Sequence, residues 1–163
     1  MGIIGKMAWL LAAVCAASGA SGQATLDHLS VKAVAEVEER SMRAGREVVK
    51  LAPAVRVVPG ERVIYTLEIR NTGSATLPAP SVIYAIPAHM MYEADSASGP
   101  GAEILYSADG GRSFDHPQNL VLNSADGQPT VVKPMYYTHI QWKLRNDLKA
   151  KSVAFARFRA IVK

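Results

Sequence analysis

At 163 residues, with a formal charge of +4 and 49% apolar side chains, the chain is long enough for one domain with a hydrophobic core and too short for two of ordinary size. Its Lys and Arg residues are scattered among acids rather than gathered in blocks, which argues against a nucleic-acid partner. A single cysteine, Cys15, excludes a disulfide framework.

The first 24 residues read as a secretory signal peptide: Lys6, an apolar stretch from Met7 to Ala17, then small residues. Small residues at the −3 position allow cleavage after Ala20 or Ala24, and Ala24 is preferred. The apolar run is shorter than the ~20 residues a bilayer span requires, so no integral membrane segment is expected after cleavage. Cys15 leaves with the leader, and Val14 and Ala12 do not fit a lipoprotein acylation site. Residues 25–163 then form a single exported domain, periplasmic or secreted, that must be held together by packing alone.

Residues 29–38 alternate apolar and polar side chains, as a strand does, although the same stretch through Met42 also reads as an amphipathic helix. The strand reading places a hairpin turn at Ala44-Gly45 and a second strand over residues 46–52, stopped by Pro53. Residues 57–73 give the clearest pattern in the chain. A Pro59-Gly60 turn launches a strand with Val63, Tyr65, Leu67 and Ile69 on one face and Arg62, Thr66, Glu68 and Arg70 on the other. Asn71-Thr72-Gly73 closes it with a turn.

Residues 78–80 form a proline-bounded loop, 81–86 and 91–94 form strands, and 96–101 form a loop of small residues. Strands at 103–107 and 113–114 flank Asp109-Gly110-Gly111, a hairpin signal. The stretch 116–134 is loop-rich, with a strand at 120–122 and a turn at Asp126-Gly127. Residues 136–144 alternate again. The last strand, 153–162, sets Ala154, Ala156, Phe158, Ala160 and Val162 on one face, and Phe155 and Ile161 on the other predict a bulge or burial on both faces. Short strands at roughly ten-residue intervals, with turns between them, predict an all-β sandwich of about seven to nine antiparallel strands.

Val58-Pro59-Gly60-Glu61, Val63-x-Tyr65-x-Leu67, Asn71-Thr72-Gly73 and Ile86-Pro87 together resemble the bacterial surface-protein repeat known as domain of unknown function 11. The resemblance covers residues 51–163 and implies an immunoglobulin-like sandwich in the cell envelope. Tyr84 and Ala85 stand where that family commonly carries an Asp, and the chain shows one copy where the family often occurs in tandem. Residues 107–114 resemble a second pattern, the Asp-box hairpin S-x-D-x-G-x-S-F of sialidase-type propellers, which implies a structural turn at Asp109, Gly110 and Gly111.

Catalytic chemistry finds little support. His28, His89, His116 and His139 lack metal-ligand spacing, and no G-x-S-x-G elbow occurs. Neither a cofactor nor a bound metal is expected. Loop acids Asp95, Asp109, Asp115 and Asp126 lack a D-x-D-x-D-G calcium loop. Among the aromatics, Trp142 reads as a core residue, whereas Tyr137, Tyr92 and Tyr106 are candidates for a ligand- or partner-stacking surface. His89, Met90 and Met91 are a third candidate, for copper(I). The expectation is a non-enzymatic structural or protein-interaction module of the bacterial envelope, with an unknown surface or envelope protein as partner. A glycan- or small-ligand-binding module is the alternative, and a periplasmic metal-handling protein the weaker one.

Overall fold

A computed structural model describes residues 28–99, 101–123 and 127–163. The expected signal peptide and Asp126 lie outside the described residues. Ten strands occur among them, more than the seven to nine expected. They are β1 (Leu29–Arg43), β2 (Arg46–Pro53), β3 (Arg62–Asn71), β4 (Ser81–Ala85), β5 (Met90–Tyr92), β6 (Ala102–Ser107), β7 (Val121–Asn123), β8 (Pro129–Val131), β9 (His139–Leu144) and β10 (Val153–Val162). Among the described residues there is no α-helix, and none therefore to cross a membrane.

Every pairing is antiparallel. One sheet has the order β2-β1-β3-β10-β5, a second the order β4-β9-β6, and β7 and β8 form a separate ribbon. The two sheets pack face to face around one core. β3 and β10 supply Val63, Tyr65, Leu67, Ile69, Ala156, Phe158 and Ala160, while the facing sheet supplies Val82, Tyr106, Ile140 and Trp142. Tyr65 stacks on Phe158 with ring centroids 4.8 Å apart, and Trp142 and Tyr84 tilt against the same ring at 6.2 Å and 5.8 Å. With Tyr84 also 6.5 Å from Tyr65 and Tyr106 5.3 Å from Tyr92, these contacts set β4 over β3, β9 over β10 and β6 over β5. The larger sheet therefore overhangs on one side, and β1 and β2 have no strand above them.

The turns at the two ends of β3 have visible causes. Pro59 and Gly60 occupy the middle of a turn closed by the Glu61 N–H donating to Val58 O at 3.0 Å. Gly60 sits at φ +87°, a region that favours glycine. Its N–H donates to Val162 O, tying the turn to the end of β10. At the other end of β3, Asn71 is wholly buried and its amide donates to Ala75 O, Leu148 O and Lys149 O at 2.8, 2.9 and 3.1 Å. Its Oδ1 accepts from the Gly73 N–H at 2.9 Å. Gly73 has another reason to be glycine: a Cβ there would lie 2.9 Å from the His28 ring.

Three strand expectations need correction, the first being residues 136–144, where Pro134–Tyr136 form a 3-10 turn and β9 begins only at His139. β10 keeps an unbroken register against β3 from Val153 to Ile161, without a bulge, and Phe155 is 56% exposed rather than buried. Regular alternation wins because Phe155 lies on the outer face and stays exposed there. Residues 113–114 form no strand; after the Asp-box turn the chain returns to β6 through a single bridge between Tyr106 and Asp115. The helical alternative for residues 29–42 gives way to β1, whose pairing with β3 makes it an integral sheet neighbour.

Candidate interaction surface

The three candidate tyrosines come together, but inside the molecule. Tyr92, Tyr106 and Tyr137 are 4%, 7% and 5% exposed, with ring centroids 4.8–5.7 Å apart. The Tyr92 and Tyr106 hydroxyls share a hydrogen bond of 3.0 Å, and the Tyr92 hydroxyl also accepts from the Ala97 N–H. Burial, reinforced by that shared bond, pushes the Tyr106 phenol well above its ordinary range, and burial raises Tyr137 as well. As a stacking surface for a ligand the cluster is therefore corrected: its rings plug the end of the sandwich beneath β5. Trp142 is fully buried, as a core residue should be.

Met90 and Met91 are successive residues of β5 and point to opposite faces, Met90 into the core, so they do not make a paired ligand set. Among the described residues no three His, Asp, Glu or Cys side chains converge on a point that could hold a metal ion. His116 instead lies 3.2 Å from Glu103, and His139 contacts the Thr138 hydroxyl at 3.1 Å.

The Asp box is a self-contained turn. Asp109 Oδ1 accepts from Ser107 Oγ at 2.7 Å and from the Arg112 and Ser113 N–H groups, while Oδ2 accepts from Ser113 Oγ at 2.6 Å. Those bonds, the Ser113 hydroxyl first, hold the Asp109 carboxyl well below the usual carboxylate range. Asp115 is lowered in the same way by the Asn119 amide. Both carboxylates serve their own loops.

What remains open to a partner is the overhanging side. β1 changes neighbours along its length: residues 29–36 pair with β3, and residues 36–43 pair with β2 on the opposite edge. The edge of β1 away from β3 thus has no described strand beside it until Glu36. The groups pointing there can be assigned. Ala35 O accepts from the Ala54 N–H at 3.0 Å on that edge, and antiparallel ladders alternate direction residue by residue. Hence the N–H and C=O groups of Val31 and Ala33 point outward to the free edge. Val31 is 39% exposed although it sits on the sheet's inner face, because no second-sheet strand covers β1.

Beyond Glu36, β1 and β2 continue as a two-stranded arm whose turn, Ala44-Gly45, has positive φ at both positions, the geometry of tight hairpins. Its pairing register puts Met42, Val49 and Leu51 on one face, and all three are exposed. The β7–β8 ribbon also carries exposed Val121, Leu122 and Val131, anchored by buried Leu120 and Val132. None of these surface groups stood out as candidates in the sequence. The alternation of residues 29–38 marks a strand, but the missing neighbour is a property of topology, not of local pattern.

Comparison of the chain with family models, with curated proteins and with solved structures finds no match.

Proposed function

We propose that this chain is a non-enzymatic structural or interaction module of the bacterial envelope, exported by its leader, with an immunoglobulin-like sandwich related to domain of unknown function 11. The observation that carries the interaction role is the free edge of β1, whose outward backbone groups at Val31 and Ala33 offer a ready ladder to an extended segment of another protein. Export and the family rest on the sequence: the leader, and the Pro-Gly to Asn-Thr-Gly block around β3.

The test is a photo-crosslinking residue placed at Ser30, on the free edge, and a second at Gln141, on the outer face of the other sheet. In intact cells a discrete adduct is expected from position 30 and not from position 141. Equal adducts from both positions, or none from 30, overturn the edge as the working surface. Retention of the tagged chain in the cytoplasm overturns the address.

A further inference from the structure

Resting on the edge-docking reading, we infer that the free edge of β1 selects an extended segment carrying an acidic residue opposite Lys32, and that the same lysine keeps two copies of this chain from pairing with each other. Lys32 is exposed and lies midway along the free stretch, between the outward-bonding residues Val31 and Ala33. Its cross-strand neighbour on β3 is Glu68, but that carboxylate is held by Arg70 at 2.7 Å and 3.0 Å. Among the described residues Lys32 has no ion-pair partner. Its charge is therefore available to the next strand.

Ladder geometry makes that charge count. A strand added beside β1 would form its hydrogen-bonded pairs at Val31 and Ala33, which places Lys32 in a non-hydrogen-bonded pair, where facing side chains approach most closely. An acidic residue there meets the ammonium directly. Apolar residues on either side of it fall on the inner face, against Val31 and Ala33, which the second sheet leaves uncovered. The preferred occupant thus reads apolar-acidic-apolar at those three positions.

A second copy fits poorly for the same reason. Antiparallel self-pairing that uses the whole stretch from Leu29 to Ala35 is centred on Lys32 and sets the two lysines opposite each other, an unfavourable like-charge pair. Shifting the centre to Ala33 drives the copy into Pro53, which already occupies the edge beside Glu36. Shifting it to Val31 leaves pairing only from Leu29 to Ala33. A lysine on an exposed edge is a known device against such association.

The experiment titrates the purified chain with two synthetic peptides that alternate valine and threonine and differ only in Glu or Lys at the central threonine position. Wild type should bind the Glu peptide about fivefold more tightly than the Lys peptide, and Lys32→Glu should reverse that order. Val31→Pro should abolish binding of both, because it removes an N–H that points to the free edge and takes no part in the β3 ladder, so the fold survives. Val31→Pro binding as well as wild type overturns edge docking itself, as does failure of both peptides to bind. Loss of binding in Val31→Pro without any charge preference leaves edge docking standing and overturns the acidic selection. By light scattering, wild type should stay monomeric and Lys32→Val should self-associate. A wild-type dimer that Val31→Pro dissolves would make a second copy the occupant and overturn the inference.

Discussion

Replacing Asn71 by alanine should reveal how much of this fold depends on one buried amide. The side chain is 0% exposed and makes four hydrogen bonds, but they are not of equal weight. Leu148 O also accepts from the Leu77 N–H, and Lys149 O from the Ser152 N–H and hydroxyl, so both keep a partner in the variant. The Gly73 N–H and Ala75 O lose the bonds that Asn71 supplied. Two orphaned backbone groups at roughly 1–3 kcal/mol each give an expected loss of about 3–4 kcal/mol. Against a typical domain stability of ~5–15 kcal/mol that is a large fraction, equivalent to about 10 °C in Tm.

Urea denaturation followed by circular dichroism measures it, with Thr72→Ala as the control. The Thr72 hydroxyl donates to His28 O at an exposed position, and its loss should stay within ~0.5 kcal/mol. Asn71→Asp sharpens the test, because it keeps the acceptor for Gly73 but turns an oxygen toward three carbonyls. Its carboxyl should be held protonated, with a pKa raised above the ordinary range by burial and by those oxygens. A raised folded-state pKa means that the stabilising form is present at low pH and lost as pH rises through it, so Asn71→Asp should recover relative to wild type in mild acid. A loss below ~1 kcal/mol in Asn71→Ala, or no acid recovery in Asn71→Asp, refutes the account of Asn71 as the clamp between β3 and the loop before β10.

Gly60→Ala should cost about 1–2 kcal/mol in a thermal melt purely through backbone conformation, since a Cβ there meets open space; an unchanged melt would count against the turn's role. Tyr106→Phe should cost about 1 kcal/mol, and Tyr92→Phe about 2, because only the second also orphans the Ala97 N–H; equal losses would contradict that assignment. Asp109, with its carboxyl held low, contributes stability that is present above about pH 4 and lost as pH falls below that. Asp109→Asn should therefore flatten the acid limb of the stability profile, and an acid limb parallel to that of wild type would show that the box does not couple to folding.

Much of the sandwich was legible because its central strands obey one rule at a time. From Tyr65 onward in β3 and from Phe155 onward in β10 the more and less buried positions alternate as the residues do, with Ile64 an exception buried on the outer face, and the Pro-Gly and Asn-Thr-Gly turns carry their own chemistry. Legibility failed where two rules compete. Tyrosine suits both an exposed stacking surface and a hydrogen-bonded core, and only the folded chain brings Tyr92 and Tyr106 to 3.0 Å, satisfying both hydroxyls inside. Phe155 failed the other way: an apolar residue on the wet face of β10 looks like a reason for a bulge, yet a strand anchored by Phe158, Ala156 and Ala160 has no cause to distort for it.

The free edge and the arm are one feature seen twice. β1 runs for 15 residues, far beyond the ~5–6 of a usual strand, and it can do so only by exchanging β3 for β2 as its neighbour near Glu36. An isolated two-stranded ribbon is marginal in water, so the arm draws its order from the half of β1 that is built into the sheet. That same half is the one left without an outer neighbour. A segment bound there would hold residues 29–35 from both sides, as β10 and β1 already hold β3, and would stiffen the base from which the arm projects. The side of the sandwich that lacks a covering layer is thus also the side on which a bound partner would change the molecule most.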